Sequence, residues 1–98
     1  MCYLGYNFGD DDGRDLSGSS NHGTHVAGTV AARTNNALGV AGVAGGGNTR
    51  SGASLMILTT FGRSRQRGFG EAHFYAADNG AIIAQESWGY RFVSFTCV

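Results

Sequence analysis

Asn21-His22-Gly23-Thr24-His25-Val26-Ala27-Gly28-Thr29-Val30-Ala31-Ala32 is the stretch on which the reading of this chain turns. Asn21 suits a helix N-cap, because its side-chain oxygen can accept one of the backbone N–H groups that a first helical turn leaves unpaired. The run 24–33 is rich in Ala and Val and predicts a buried helix. Gly28 inside it costs about 1 kcal/mol relative to Ala, so a glycine there predicts close packing against another backbone. A histidine at the mouth of such a helix lies beside the partial positive charge of its N-terminus, which favours the neutral ring that a general base needs. Gly23 next to it leaves room for a substrate or a neighbouring chain. On this physics alone, a surface histidine with no chemical role accounts for the same residues.

Working outward, Tyr3, Leu4, Tyr6 and Phe8 read as a short strand, followed by an exposed loop with Asp10, Asp11, Asp12 and Asp15. These acids are expected to be solvated. Residues 34–52 are loop, with Gly39, Gly42 and the run Gly45-Gly46-Gly47. The apolar run 55–58, continuing through Thr59 and Thr60 to Phe61, predicts a strand buried on both faces, as in a parallel sheet. A Gly/Arg loop over 62–70 leads to a short helix over 71–78, stopped by Asn79-Gly80. Residues 81–84 read as a second buried strand. Strand, helix and strand at this spacing form a βαβ unit, so the fold class is α/β with a parallel sheet flanked by helices.

Composition limits the alternatives. The chain has 98 residues, enough for one domain at most, and chains this short bury only about 60–70% of their unfolded surface. Hydrophobic content is 42% and charged content 14%, the opposite of the balance that goes with disorder. Seven basic and seven acidic residues give a net charge of zero. Arg63, Arg65 and Arg67 cluster without interleaved aromatics, which is a solvated loop rather than a nucleic-acid surface. No apolar run approaches the roughly 18 residues of a membrane span. No basic start with an apolar stretch marks a signal peptide. Cys2 and Cys97 stand in no Cys-x-x-Cys or Cys/His metal pattern, and the sequence leaves them bridged or free.

The string His22-Gly23-Thr24-His25-Val26-Ala27-Gly28 resembles the histidine motif of the subtilisin-like serine peptidases. The resemblance covers about residues 5–90, roughly a third of a typical catalytic domain, and leaves the tail 91–98 unassigned. It implies a fragment of a three-layer subtilisin-like fold, endopeptidase activity on a polypeptide substrate, and a secreted or cell-envelope location. It makes His22 the catalytic base and His25 a packed residue without chemistry. Asn35-Asn36-Ala37-Leu38-Gly39-Val40 is similar to a family loop that helps bind calcium, so Asn36, Leu38 and Val40 are the implied ligands. Calcium takes six to eight oxygens, and three are too few. No cofactor is required for the chemistry. Gly68-Phe69-Gly70 resembles one Gly-rich wall of the substrate cleft, and Ser87-Trp88-Gly89 resembles the other. Gly68, Gly70, Ser87, Trp88 and Gly89 are thus the implied substrate-binding residues, with Trp88 where many members have Leu.

A serine peptidase also needs a nucleophile and an orienting acid. The sequence has no Asp-Ser-Gly or Asp-Thr-Gly, and no Gly-Thr-Ser followed by Met or Ala. The expectation is a piece whose partner is the missing remainder of the catalytic domain, inactive alone. Two other classes stay open. One is a non-catalytic remnant or peptide-binding fragment. The other is a metal module using His22 and His25, which lacks the Glu of His-Glu-x-x-His and a third ligand. Phosphate binding by Gly45-Gly46-Gly47 lacks the Gly-Lys-Ser/Thr that would support it.

Overall fold

The computed structural model describes residues 4–89. Four elements follow in chain order: strand β1 (Gly5–Asn7), helix α1 (His22–Ala31), strand β2 (Ile57–Thr59) and helix α2 (Phe69–Asp78). The strands pair in parallel, Gly5 with Ile57, Tyr6 with Leu58 and Asn7 with Thr59. Parallel strands cannot be joined by a tight hairpin; they need a crossover, and α1 lies in it. The expected α/β unit with a parallel sheet is present, but as β1–α1–β2 rather than across residues 55–84. The pairing is extended by the Thr59 carbonyl, which accepts from Phe8 N–H (2.8 Å) and Gly9 N–H (3.1 Å). The Thr59 hydroxyl donates to the Leu16 carbonyl at 2.6 Å, which draws the acidic loop onto the sheet edge.

Residues 81–84 form no strand; Ile82 and Ile83 are 97% and 84% exposed. A strand is stabilised by its neighbours, and no described strand lies alongside these residues. β2 is also shorter than the apolar run predicted. It begins at Ile57, whose side is exposed, and Phe61 joins instead in an isolated antiparallel bridge with Gln66.

Helix α1 begins at His22, two residues before the expected run, and contains no fully buried residue. Its C-terminal turn is closed by the following loop. Gly42 N–H donates to the Ala32 carbonyl, Val43 N–H to that of Thr29 and Ala44 N–H to that of Val30, all at 2.8–2.9 Å. These bonds satisfy acceptors that a helix end leaves unpaired. The loop approaches so closely that a Cβ on Gly45 would lie 1.8 Å from the Ala32 carbonyl oxygen. The Gly45–Gly47 run is therefore a packing device: the Gly46 carbonyl accepts both the backbone N–H and the hydroxyl of Thr34. Gly28, by contrast, has nothing among the described residues within 4 Å of where a Cβ would stand, so they do not supply the close backbone expected there.

The centre of packing is aromatic. Tyr6 and Phe8 from the β1 region meet Tyr75 of α2, with ring centroids 4.9–6.2 Å apart in edge-on or tilted arrangements. Ala72 on the same helix is buried. Gly68 allows α2 to start against this cluster. Its φ of +79° is the left-handed conformation, and a Cβ there would fall 2.3 Å from the Phe8 Cβ.

Candidate active site

His22 is the first residue of α1 and is exposed. The Asn21 side chain makes no capping bond. Instead the Ser20 hydroxyl oxygen accepts the His22 N–H at 3.4 Å, and the Asn21 carbonyl accepts the His25 N–H at 3.1 Å. His22, His25 and Thr29 lie on the exposed side of α1, while Val26, Ala27 and Val30 are half-buried. The Thr29 hydroxyl donates to the His25 carbonyl at 3.1 Å. His22 thus presents its ring to solvent from a helix end held by loop contacts at its far terminus. Among the described residues, no group of three His, Cys, Asp or Glu gathers where it could hold a metal ion. Cys2, Cys97 and the tail 91–98 lie outside the described residues.

The two implied cleft walls come together. Phe69 and Trp88 have ring centroids 4.7 Å apart, and Phe61 joins both at 5.3 and 6.0 Å. Gly68 and Gly70 thereby sit beside Ser87, Trp88 and Gly89. The geometry of the first wall differs from an extended edge: Gly68 is the left-handed residue before α2, and Gly70 is already in its first turn, in open space. The first four N–H groups of a helix have no partner within it, so α2 leaves the Gly70 N–H unused while drawing its carbonyl into the helix. Ser87 and Gly89 are exposed in irregular chain, and the Ser87 hydroxyl accepts from the Gln85 amide at 2.9 Å. None of these residues shares a described hydrogen bond with His22.

The loop with Asn36, Leu38 and Val40 surrounds a hollow of about 210 Å³ that Arg33 also lines. Asn35, Ala37 and Gly39 alternate with them at φ of 54–57°, and the Asn36 side-chain oxygen accepts the Leu38 N–H at 3.1 Å. Three oxygens beside a guanidinium do not by themselves fit calcium, which takes six to eight.

Sequence reading missed the role of the acidic loop. Asp10, Asp11 and Asp15 are not simply solvated; they fasten 9–17 to 61–67. Buried Asn7 (1% exposed) is the hub, donating to the carbonyls of Asp15 (3.1 Å) and Ser17 (2.9 Å) and accepting the Asp10 N–H (3.0 Å). The Asp10 carboxylate accepts the N–H groups of Arg63 (2.8 Å) and Ser64 (3.0 Å). Asp15 pairs with Arg63 at 3.1 Å and Asp11 with Arg67 at 3.4 Å, while Tyr6 donates its hydroxyl to Asp11 at 2.6 Å. The clustered arginines are thus matched to clustered acids, a signal visible in the sequence only as two opposite charge runs.

These bonds hold three carboxyls below their usual range: Asp10 through the Arg63 and Ser64 amides, Asp11 through the Tyr6 hydroxyl and then Arg67, and Asp15 through Ser17. Tyr6 is raised by the same bond to Asp11. A carboxyl lowered in the folded state contributes stability that is present above its unfolded value of about 3.9 and is lost as pH falls through the folded value. Acidification from pH 6 down through the lowered carboxyl values should therefore release 9–17 from 61–67. Amide exchange at Arg63 and Ser64 reads this directly; protection that persists through that range would contradict it.

The family profile of the subtilases matches residues 3–94, nearly the whole chain and all of the geometry above. The chain belongs to the subtilase family. Among its subtilase relatives, a thermophilic serine proteinase from Bacillus sp. (strain AK1) is 46% identical over 85 residues, covering 87% of this chain and 20% of that protein. The halolysin-like extracellular serine protease Nep of Natrialba magadii is 39% identical, covering 87% of this chain and 15% of its own length. The major intracellular serine protease of Bacillus subtilis (strain 168) is 48% identical over 61 residues, 59% of this chain and 17% of that protein. The chain thus spans a fifth or less of these subtilases. No solved structure matches it at the significance these relatives reach. No helix among the described residues is long and apolar enough to cross a membrane.

Proposed function

We propose that this chain supplies the general base and part of the substrate cleft of a serine endopeptidase. The observation that supports this most is the motif His22–Gly28, opening an exposed helix in a chain of the subtilase family. In this reading His22 takes the proton of a serine hydroxyl as its oxygen attacks the peptide carbonyl. It then returns that proton to the leaving amine. Neither that serine nor the orienting aspartate stands in its motif here, so the chain is inactive alone and its partner is the remainder of a catalytic domain. The substrate is a polypeptide passing Gly68, Gly70, Ser87, Trp88 and Gly89. Ser87 and Gly89 lie in irregular chain, where backbone is open to strand-like pairing. Calcium at Asn36, Leu38 and Val40 requires at least three further oxygens from outside this loop. Secretion or the cell envelope is the location we assign, as in the Natrialba magadii protease named extracellular; the Bacillus subtilis relative named intracellular marks the alternative.

Incubation of the purified chain with a peptide substrate and a fluorophosphonate probe should give neither turnover nor labelling. Robust turnover with covalent labelling would overturn its inactivity alone. Residues 5–89 placed in the homologous segment of a full-length subtilase should preserve both. A chimera that folds yet takes no label would remove the proposed role.

A further inference from the structure

His73 of α2 is placed so that both ring nitrogens face acceptors. Nδ1 lies 2.6 Å from the Phe69 carbonyl oxygen, and Nε2 lies 2.5 Å from the Glu86 carboxylate. A neutral imidazole carries one N–H and can satisfy only one of these oxygens; the imidazolium carries two and satisfies both. Glu86 immediately precedes Ser87 and Trp88, and the Trp88 ring packs on Phe69, the same residue whose carbonyl takes Nδ1. Two separate contacts, one ionic and one aromatic, therefore fix one short segment to one end of α2.

We infer that His73 and Glu86 form a proton-dependent clasp that positions the segment 85–88 against α2. The charged groups of the two elements are Glu71 and Asp78 on α2 and Glu86 on the segment, and among the described residues the ion pair of His73 is with Glu86. His73 is held above the ordinary imidazole range, first by the Phe69 carbonyl and then by the Glu86 charge. A group raised in this way keeps its contact at low pH and loses it as pH rises through the folded value. The clasp is thus closed below, and open above, a midpoint higher than the unperturbed value of about 6.5. It acts on the cleft only through Ser87 and Trp88, so its bearing on substrate rests on the proposed function; the clasp itself does not. His73 and Glu86 are positioning residues in this arrangement, with no contact to a reacting atom.

Trp88 is the single tryptophan and serves as the reporter. In the full 98-residue chain, the His73 ring proton shift and the Trp88 emission should titrate together, with one midpoint above about 6.5. Glu86→Gln should lower the His73 midpoint and flatten the emission change. His73→Lys keeps a cation through this range and should hold the emission at its low-pH value across it, which a loss of folding could not imitate. Emission that stays constant while His73 titrates, or an unaltered emission step in Glu86→Gln, would overturn the clasp. A peptide that fails to bind while both signals behave as stated counts against the cleft reading and leaves the clasp in place.

Discussion

Replacing His22 by Ala in a full-length subtilase carrying residues 5–89 of this chain should lower kcat by on the order of a millionfold, the loss known when a subtilisin, a member of the same family, is deprived of its base. The size follows from the division of labour in a triad. A serine hydroxyl is almost never ionised near neutral pH, and without a base its oxygen attacks only weakly. The donors that stabilise the oxyanion and the contacts that bind peptide are elsewhere, so KM should change little. His25→Ala is the internal control. It stands one turn along the same exposed side of α1, and its backbone, not its ring, makes the described hydrogen bonds. It should leave kcat within about tenfold, the scale of effects that do not remove a triad member. Equal losses from the two substitutions would point to damage to the helix, or to metal binding by the pair, rather than to base catalysis.

The second large effect is expected at Gly68. Gly68→Ala should destabilise the chain by about 2–5 kcal/mol, from about 1–2 kcal/mol for an L-residue in the left-handed region and about 1–3 kcal/mol for forced overlap in packed surroundings. The overlap is with the Phe8 Cβ, which belongs to the chain just after β1 and cannot swing away as the tip of a long side chain could. Gly70→Ala, two residues on, provides the contrast. Its site is open and helical, so alanine should stabilise by up to about 1 kcal/mol. Urea midpoints of the two variants should move in opposite directions. If Gly68→Ala unfolds at the same midpoint as the parent, the close approach of Phe8 is not part of the stable fold.

What could be read from the sequence depended on how local its physical cause was. The helix at 22–31 was legible because caps and small apolar residues act within a few positions, although Asn21 turned out not to cap it with its side chain. The family was legible because His22 to Gly28 is contiguous. The strand pairing is only half legible: the apolar run 55–61 marks β2, but the sequence points to 81–84 as its partner, whereas Gly5–Asn7 occupies that place. A hydrophobic run states that a strand wants burial; it does not say which strand will cover it. The same limit applies to Gly28, whose expected close neighbour is not among the described residues of this chain. The acidic loop is illegible for another reason. The charged Asp10 carboxylate is held by two backbone amides more than 50 positions away, and backbone donors leave no trace in a composition. His73 and Glu86 likewise carry no motif, and only the fold brings them together.

The parallel pairing of β1 with β2 has a consequence in time. Gly5 finds its partner at Ile57, about 50 residues later, and ribosomes add roughly 5–20 residues per second. The first strand therefore leaves the ribosome some 3–10 s before the backbone that completes it has been made. Tyr75, which covers Tyr6 and Phe8, comes later still. During that interval the two aromatic side chains and the edge of β1 are open to other nascent chains. The order of synthesis, as much as the final contacts, therefore decides how long β1 stands open to the wrong neighbours.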